Sequence, residues 1–374
     1  MNYCRKCVQP DTRPGIVFQD GVCGACLYEE KKEEIDWLDR KWQLEEIAGW
    51  AIGEAYMRGS NYDCAIGVSG GKDSTLQALY ARDELNLQCL LVNSEPEGIT
   101  PIGRKNIENL KNLGFDVISI RPNPKVMKQC IKRDFYEYLN PVKVTEFSLW
   151  ASTYIIADKF NIPLIIQGEN PAFTLGVQGI LDSDDDALKT FSQDTLKTGW
   201  YRYCRDGIDE RDMFLFHFDL DSVRKKNIKG VWLQYYYKDW TPRKNAEFSQ
   251  QNGLTVRCFN EWFGPSDIGT YVNFAQLDND LTPLNQVFKY YKFGFGQCTD
   301  YACHDIRDRY ITREEGIELV EKYDGKVGDF YIKKFCDYMG ITQDEMWLTV
   351  DRFVNKDLFE KKGNVWTKKF SIGH

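Results

Sequence analysis

The strongest constraint on the fold is a run of short apolar segments that alternate with helical ones between Asn61 and Asn170. Residues 63–68 form an apolar strand that stops at Ser69-Gly70-Gly71, and 72–82 follow as a helix. Residues 88–93 read as a second strand, 102–113 as a second helix closed by Gly114, and 115–120 as a third strand. Residues 147–160 read as a helix, and 162–167 as a fourth strand ending at Gly168-Glu169-Asn170. Strands separated by helices pair through crossovers, which gives a parallel sheet covered on both faces. The expected class is therefore α/β with a doubly wound parallel sheet. Ligands of such sheets bind outside the C-terminal strand edge. The loop at 69–74, the strand end Asn93-Ser94-Glu95 and the turn at 168–170 share that edge.

The flanks differ from this middle. Residues 1–30 are rich in Cys, Gly and Pro and have no period. In the charged segment 29–58, Ile35, Leu38 and Trp42, then Leu44, Ile47 and Ala51, recur at three- and four-residue steps, which predicts an amphipathic helix broken near Gly49. The acidic run 182–186 reads as a solvated loop or helix start, with a cation site as its alternative. From about 265 the chain turns helical, and Thr312-Arg313-Glu314-Glu315 and Thr342-Gln343-Asp344-Glu345 have the form of capping boxes. The expected parts are a cysteine module at 1–30, a linker helix at 31–60, a sheet domain at 61–260 and a mostly helical C-terminal substrate region at 261–374.

Net charge narrows the partners. Acidic residues outnumber basic ones, 56 to 48, for a net charge of −8. Nucleic-acid proteins draw most of their affinity from basic residues on phosphate, so DNA or RNA is not the expected partner. No apolar run is long enough to span a bilayer, and the start Met1-Asn2-Tyr3-Cys4 lacks a signal-peptide core, so the expected location is the cytoplasm.

The loop Ser69-Gly70-Gly71-Lys72-Asp73-Ser74 suits a polyphosphate. Two glycines let successive N–H groups converge, the helix behind adds its positive dipole end, and Lys72 adds a full charge. Asp73 can hold Mg²⁺ or cap the helix. It is not a Walker A loop, because Ile66 stands where the first glycine would be and Asp73 follows the lysine. The hexapeptide in this strand–helix setting resembles the pyrophosphate-loop (PP-loop) family, the N-type ATP pyrophosphatases, with their adenine nucleotide alpha hydrolase-like sheet. The resemblance implies that the loop grips the β- and γ-phosphates of ATP, while a substrate oxygen attacks the α-phosphate and pyrophosphate leaves. It also implies that the backbone near Val68, Val92 and Asn93 frames adenine and that Gly168-Glu169 faces the nucleotide or substrate.

Cys4-x2-Cys7, fifteen residues, then Cys23-x2-Cys26 has the spacing of a four-thiolate zinc ribbon. Four ligands leave Zn²⁺ no open position, so its role is to fold a segment almost without a core. An iron–sulfur cluster is the alternative. The other eight of the twelve cysteines form no such pair.

Farther on, the stretch 291–307, Tyr-Lys-Phe-Gly-Phe-Gly-Gln-Cys-Thr-Asp-Tyr-Ala-Cys-His-Asp-Ile-Arg, mixes glycines, aromatics and charges. The segment 234–240, with Tyr235-Tyr236-Tyr237, Trp240 and nearby Asn245, has a similar character. Both suit a sugar and both suit a core. Together with the cysteine knuckles and the loop, they resemble the N-acetyl sugar amidotransferases of lipopolysaccharide O-antigen and nonulosonic (pseudaminic, legionaminic) acid biosynthesis. That resemblance implies transfer of ammonia to an adenylated acetamido group, with ATP, Mg²⁺ and Zn²⁺ as cofactors. It implies Lys72, Asp73 and Ser74 in catalysis and Lys292, Asp300 and Arg307 near the sugar. Relatives have a simpler Thr-Asp-His here; Cys303 before His304 departs from it. No glutaminase signature is present, since Asn2 occupies the position a nucleophilic cysteine would need. The ammonia is then free or comes from a separate glutaminase with a cyclase-like subunit. A PP-loop tRNA-thiolating enzyme is the alternative reading; it would want a basic surface and paired catalytic cysteines.

Overall fold

A five-stranded parallel sheet organises the computed structural model, which describes residues 1–176, 185–188, 199–363 and 365–374. The chain opens with a small antiparallel hairpin, β1 (Phe18–Gln19) and β2 (Val22–Cys23), then α1 (Gly24–Lys31) and the long α2 (Trp37–Arg58). The sheet domain follows: β3 (Cys64–Gly67), α3 (Lys72–Asp83), β4 (Cys89–Ser94), α4 (Pro101–Asn112), β5 (Asp116–Ile120), α5 (Pro124–Tyr138), α6 (Lys143–Lys159), β6 (Leu164–Gln167) and β7 (Lys229–Trp232). Six longer helices complete it: α7 (Pro242–Gln251), α8 (Thr282–Phe293), α9 (Gln297–Arg307), α10 (Arg313–Tyr323), α11 (Asp329–Met339) and α12 (Gln343–Phe353). A terminal hairpin pairs β8 (Phe359–Lys362) with β9 (Val365–Lys368).

Strand order is β5-β4-β3-β6-β7 and every pairing is parallel. The central strands β4, β3 and β6 are apolar on both faces, and their period of two sorts them. Cys64, Ile66, Cys89, Leu91, Leu164 and Ile166 join Leu44 and Ala48 of α2, Leu76 and Leu79 of α3, and Leu110 of α4. The intervening Ala65, Leu90 and Ile165 join Tyr154 and Ala157 of α6 with Val223. Helices on both faces make the sheet doubly wound, as the alternation of the sequence predicts.

Within the sheet domain, β7 and α5 were among the elements not foreseen. β7 is a four-residue edge strand containing Gly230, where a Cβ would lie 2.6 Å from the Tyr154 hydroxyl. α5 begins at Asn123-Pro124, and the Asn123 side chain accepts from the Lys125 N–H at 3.0 Å, a start signal that could have found it.

The expected break near Gly49 is corrected. α2 runs unbroken through Gly49, which has open space around it. One helical glycine costs only about 1 kcal/mol, less than the burial of Leu44, Ala48, Ala51 and Ala55 on the opposite side returns. The interruption falls earlier, where Asp36 caps the N–H groups of Leu38 and Asp39 at 3.1 and 3.0 Å. Leu38 and Trp42 are about 60% exposed; the buried stripe is Leu44, Ala48, Ala51 and Ala55.

The C-terminal helices share cores with what precedes them. Phe135 of α5 and Phe147 of α6 pack with Leu284 and Phe288 of α8, Phe335 of α11 and Val350 of α12. The cysteine module packs on Cys298, Ala302 and Cys303 of α9 and Val320 of α10. Thr312 and Glu315 form the full capping box. Thr342 accepts from the Glu345 N–H, whereas the Glu345 carboxylate takes the Tyr136 hydroxyl at 2.7 Å instead of closing the box. Of the acidic run, 182–184 lie outside the described residues; Asp185 accepts from the Tyr236 hydroxyl, and Asp186 bridges Val231. Among the described residues no helix is long and apolar enough to cross a membrane.

Candidate functional site

The sheet has its switch point at β3. From there the chain winds outward through β4 and β5, then returns to β6 on the other side of β3. The crevice lies outside the C-terminal ends of β3 and β6, and the two turns bordering it are 68–71 and 168–170.

The first turn is tight. Val68 is fully buried and its N–H donates to the Val92 carbonyl at 2.8 Å, so backbone, not side chain, faces the crevice there. Gly70 has φ +75°, and a Cβ on it would sit 3.0 Å from Asn106 Cβ and 3.2 Å from the Gly103 carbonyl of α4. Gly71 is the N-cap of α3, and no side chain caps that terminus. The first-turn N–H groups of a helix have no partner within the helix, so they are free for an anion. Ser69 stands beside Gly71, and Ser74 and Thr75 turn their hydroxyls back to the Gly71 carbonyl at 3.2 and 2.9 Å, which fixes the turn.

Asp73 and Lys72 form the charged end of the loop, 2.5 Å apart. The other Asp73 oxygen accepts from the Asn245 amide at 2.7 Å, and Ser249 donates to the Lys72 carbonyl at 2.6 Å. Both partners lie on α7, which packs along α3. Burial would depress the Lys72 ammonium, but Asp73, Tyr301 and Glu169 outweigh it and hold its pKa above the ordinary value. Glu169 reaches solvent in the crevice. Loss of hydration between the walls and repulsion from Asp73 raise its pKa to about 7, against the pull of Lys72. In the same turn Gly168 leaves room for Gln77 and Trp240; a Cβ there would meet Gln77 at 2.4 Å.

α9 borders this crevice on one side and the cysteine cluster on the other. Its N-terminus is held by Asp324, whose carboxylate accepts from the N–H groups of Gly296 and Cys298 at 2.8 Å and from the Thr299 hydroxyl at 2.5 Å. Tyr301 is near enough to Lys72, Asp73 and Glu169 for their charges to act on it; burial pushes its phenol up to about 12. Asp300 takes Lys289 of α8 at 2.7 Å and Arg13 of the cysteine module. Burial opposes its charge, but these two cations hold its pKa below the ordinary carboxylate value. His304 is pushed well down by burial and by the Arg307 charge, which leaves it neutral. Its Nδ1 lies 3.0 Å from the Arg307 guanidinium, which also donates to the Thr174 carbonyl at 3.2 Å.

The four sulfurs of Cys4, Cys7, Cys23 and Cys26 are buried and lie within 4.8 Å of one another, with Cys7 and Cys23 3.6 Å apart. None is in a disulfide. Tetrahedral ligands at the zinc–sulfur distance of about 2.3 Å stand about 3.8 Å apart, so the set fits a tetrahedral Zn²⁺. Cys4 is lowered because the thiols of Cys23, Cys26 and Cys7 donate toward it. Burial would depress Arg307, but its nearness to the cysteine cluster raises it above the ordinary value.

The structure thus brings Lys72, Asp73, Ser74, Glu169, Asp300 and Arg307 around one crevice and its border. Lys292 goes elsewhere. It donates to the Tyr138 carbonyl at the end of α5, at 3.0 Å, and burial lowers it to about 8. Asn93 is buried, and its amide bonds the Ser119 hydroxyl of β5 at 3.3 Å. Tyr301, Ser249 and Asp324 were not singled out. Tyr301 had only its place in the 291–307 stretch to mark it; the other two gave no local signal.

Residues 268–371 match the family model described as "LPS biosynthesis protein WbpG-like, C-terminal domain". No curated protein matches the chain. Among solved structures, "Structure of NMN synthetase from Francisella tularensis" aligns at 14% identity, covering 59% of this chain and 89% of that one, with a TM-score of 0.26.

Proposed function

We propose that this protein is an ATP-dependent amidotransferase of surface-polysaccharide or nonulosonic acid biosynthesis, converting an acetamido group of a sugar to an acetamidino group. The supporting observation is a juxtaposition. α9, from the segment that matches a lipopolysaccharide-biosynthesis domain, places His304 and Arg307 in one hollow with Asp73 of an uncapped phosphate loop, and its Tyr301 is near enough to Lys72 for their charges to act on each other. In this reading the zinc module, the linker helix, the PP-loop domain 61–260 and the region from 261 build one site.

The acetamido oxygen attacks the α-phosphate of ATP, and pyrophosphate leaves. Ammonia then adds to the imidate carbon and AMP departs. Gly70, Gly71 and the first turn of α3 hold the outgoing phosphates, and Lys72 offsets their charge. Asp73, fixed by Asn245, is the carboxylate that would hold Mg²⁺, a hard cation that shields phosphate oxygens when bound. Arg307 and His304 stand at the border for the sugar or the imidate. The sugar, its nucleotide carrier and a separate glutaminase that supplies ammonia are the partners of this scheme.

The test is incubation with ATP, MgCl2, ammonium chloride and diacetamido sugars. AMP, pyrophosphate and a product in which O is replaced by NH are expected. ADP in place of AMP would overturn the scheme. AMP formed only with tRNA would favour a thiolating enzyme instead.

A further inference from the structure

Two hollows meet beside Asp308, and this inference rests on the amidation reading above. The outer one, about 650 Å³, opens to the surface between α1 with the residues after it, the 238–244 segment and the end of α9. The inner one is only about 20 Å³ and ends on Asp73 and Glu169. Glu29, Lys32, Arg307 and Asp308 line both, so the two are neighbours through a shared wall. A polar chamber needs roughly 10–15 Å³ to hold one water, so the inner one admits a single molecule of that size and no sugar or nucleotide. Its walls are stiff: Tyr28 and Phe173 stack at 4.0 Å with rings parallel to 2°. Asp308 Oδ2 is buried beside it with no hydrogen-bond partner among the described residues. A small donor passing there would satisfy that oxygen, since an unpaired buried acceptor is costly.

We propose that the two hollows form an inlet for ammonia, separate from the route of ATP and the sugar, running from the surface past Asp308 to Asp73 and Glu169. The outer hollow mixes acids with the cations that pair with them, Lys6 with Glu30, Lys32 with Glu29 and Lys244 with Asp239, so it is open to small solutes, ammonium among them. Ammonium leaves its proton with solvent there, because an ion entering the inner hollow of about 20 Å³ would lose its hydration, whereas the neutral molecule passes. At the crevice the ammonia lone pair forms a C–N bond to the imidate carbon. The C–O bond to AMP breaks with its electron pair going to the AMP oxygen. With a neutral imidate, all three hydrogens of ammonia remain in the amidinium product.

Two reactions of the whole protein separate this inlet from the rest of the site. Sugar-dependent ATP–pyrophosphate exchange needs no ammonia; amidation with ammonium chloride does. Lys32→Trp fills the shared wall from outside, and Asp308→Leu removes its free oxygen. Each is expected to raise the KM for ammonium by roughly tenfold or more while exchange stays within about twofold of native, and exchange also shows that the variant is folded. Methylammonium, which is larger, is expected to be a poor substitute in the native protein. An unchanged ammonium KM in both variants would overturn the inlet, as would exchange and amidation falling together. Absence of sugar-dependent exchange in the native protein would instead overturn the amidation reading, and the inlet with it.

Discussion

Gly70 shows how a single position sets the site. Its φ of +75° costs an L-residue about 1–2 kcal/mol, and the methyl of Gly70→Ala would press on Asn106 and the Gly103 carbonyl. The variant is expected to lose roughly 1–3 kcal/mol of stability by urea unfolding and to raise the KM for ATP. Unchanged values for both would mean that the turn is not held as described. The pair of glycines was legible because local geometry demands it. Asn245 is different: it holds Asp73 across 172 residues of chain, and only α7 packing on α3 makes that contact. Asp324 is a similar case. It caps α9 from 28 residues away. Asp324→Ala should cost about 1–3 kcal/mol, near the upper range for a lost cap, because three donors lose their acceptor. Turnover should fall with it if α9 positions Tyr301, which rescue by Asp324→Glu would help to show.

Among elements, the strands and helices between 61 and 167 were readable because burial on both sheet faces leaves an apolar run bounded by turns. β7 was not, since four residues containing a glycine carry no period. α2 was found but its face was misjudged: the pattern weighed Leu38 and Trp42 above alanines, and alanines are what fits close helix packing. α9 was visible only as an odd composition. It spans the distance from the phosphate crevice to the cysteine cluster, tied to that module by Asp300–Arg13 and by Cys303 beside Cys7. Arg313 of α10 adds donation to the Cys7 carbonyl at 3.1 Å. Removing the metal should therefore loosen a wall of the crevice as well as the module. Cys7→Ser, or treatment with a strong chelator, is expected to release one zinc per chain and to reduce ATP–pyrophosphate exchange more than about tenfold. X-ray absorption of the native protein should give four sulfur ligands at about 2.3 Å. Full exchange activity in a metal-free sample would separate the two centres; iron in place of zinc would favour the cluster alternative.

At the scale of the whole molecule, the acidic balance was legible from counting, but the burial of particular acids was not. Burial raises three aspartates, Asp134, Asp308 and Asp324, each to about 6 from 3.8. Such a group binds a proton more tightly folded than unfolded. Its contribution to stability is full below about 3.8 and is lost as pH rises through about 6. Asp134 keeps Arg202 at 2.7 Å and the Tyr203 hydroxyl at 2.6 Å, so replacing it would strand those partners. Asp308 offers the cleaner measurement, because its Oδ2 bonds to nothing among the described residues. The total pH profile also contains thiols and histidines, but those terms cancel in a difference between two proteins that share them. Asp308→Asn removes one titration and little else. The stability of the variant minus that of the native protein should therefore climb between pH 4 and pH 7 and then level, by about 1–3 kcal/mol. Urea unfolding at several pH values gives that difference directly. A flat difference would mean that Asp308 is solvated in the folded protein, and a falling one that Arg307 pairs with it strongly enough to reverse the effect of burial.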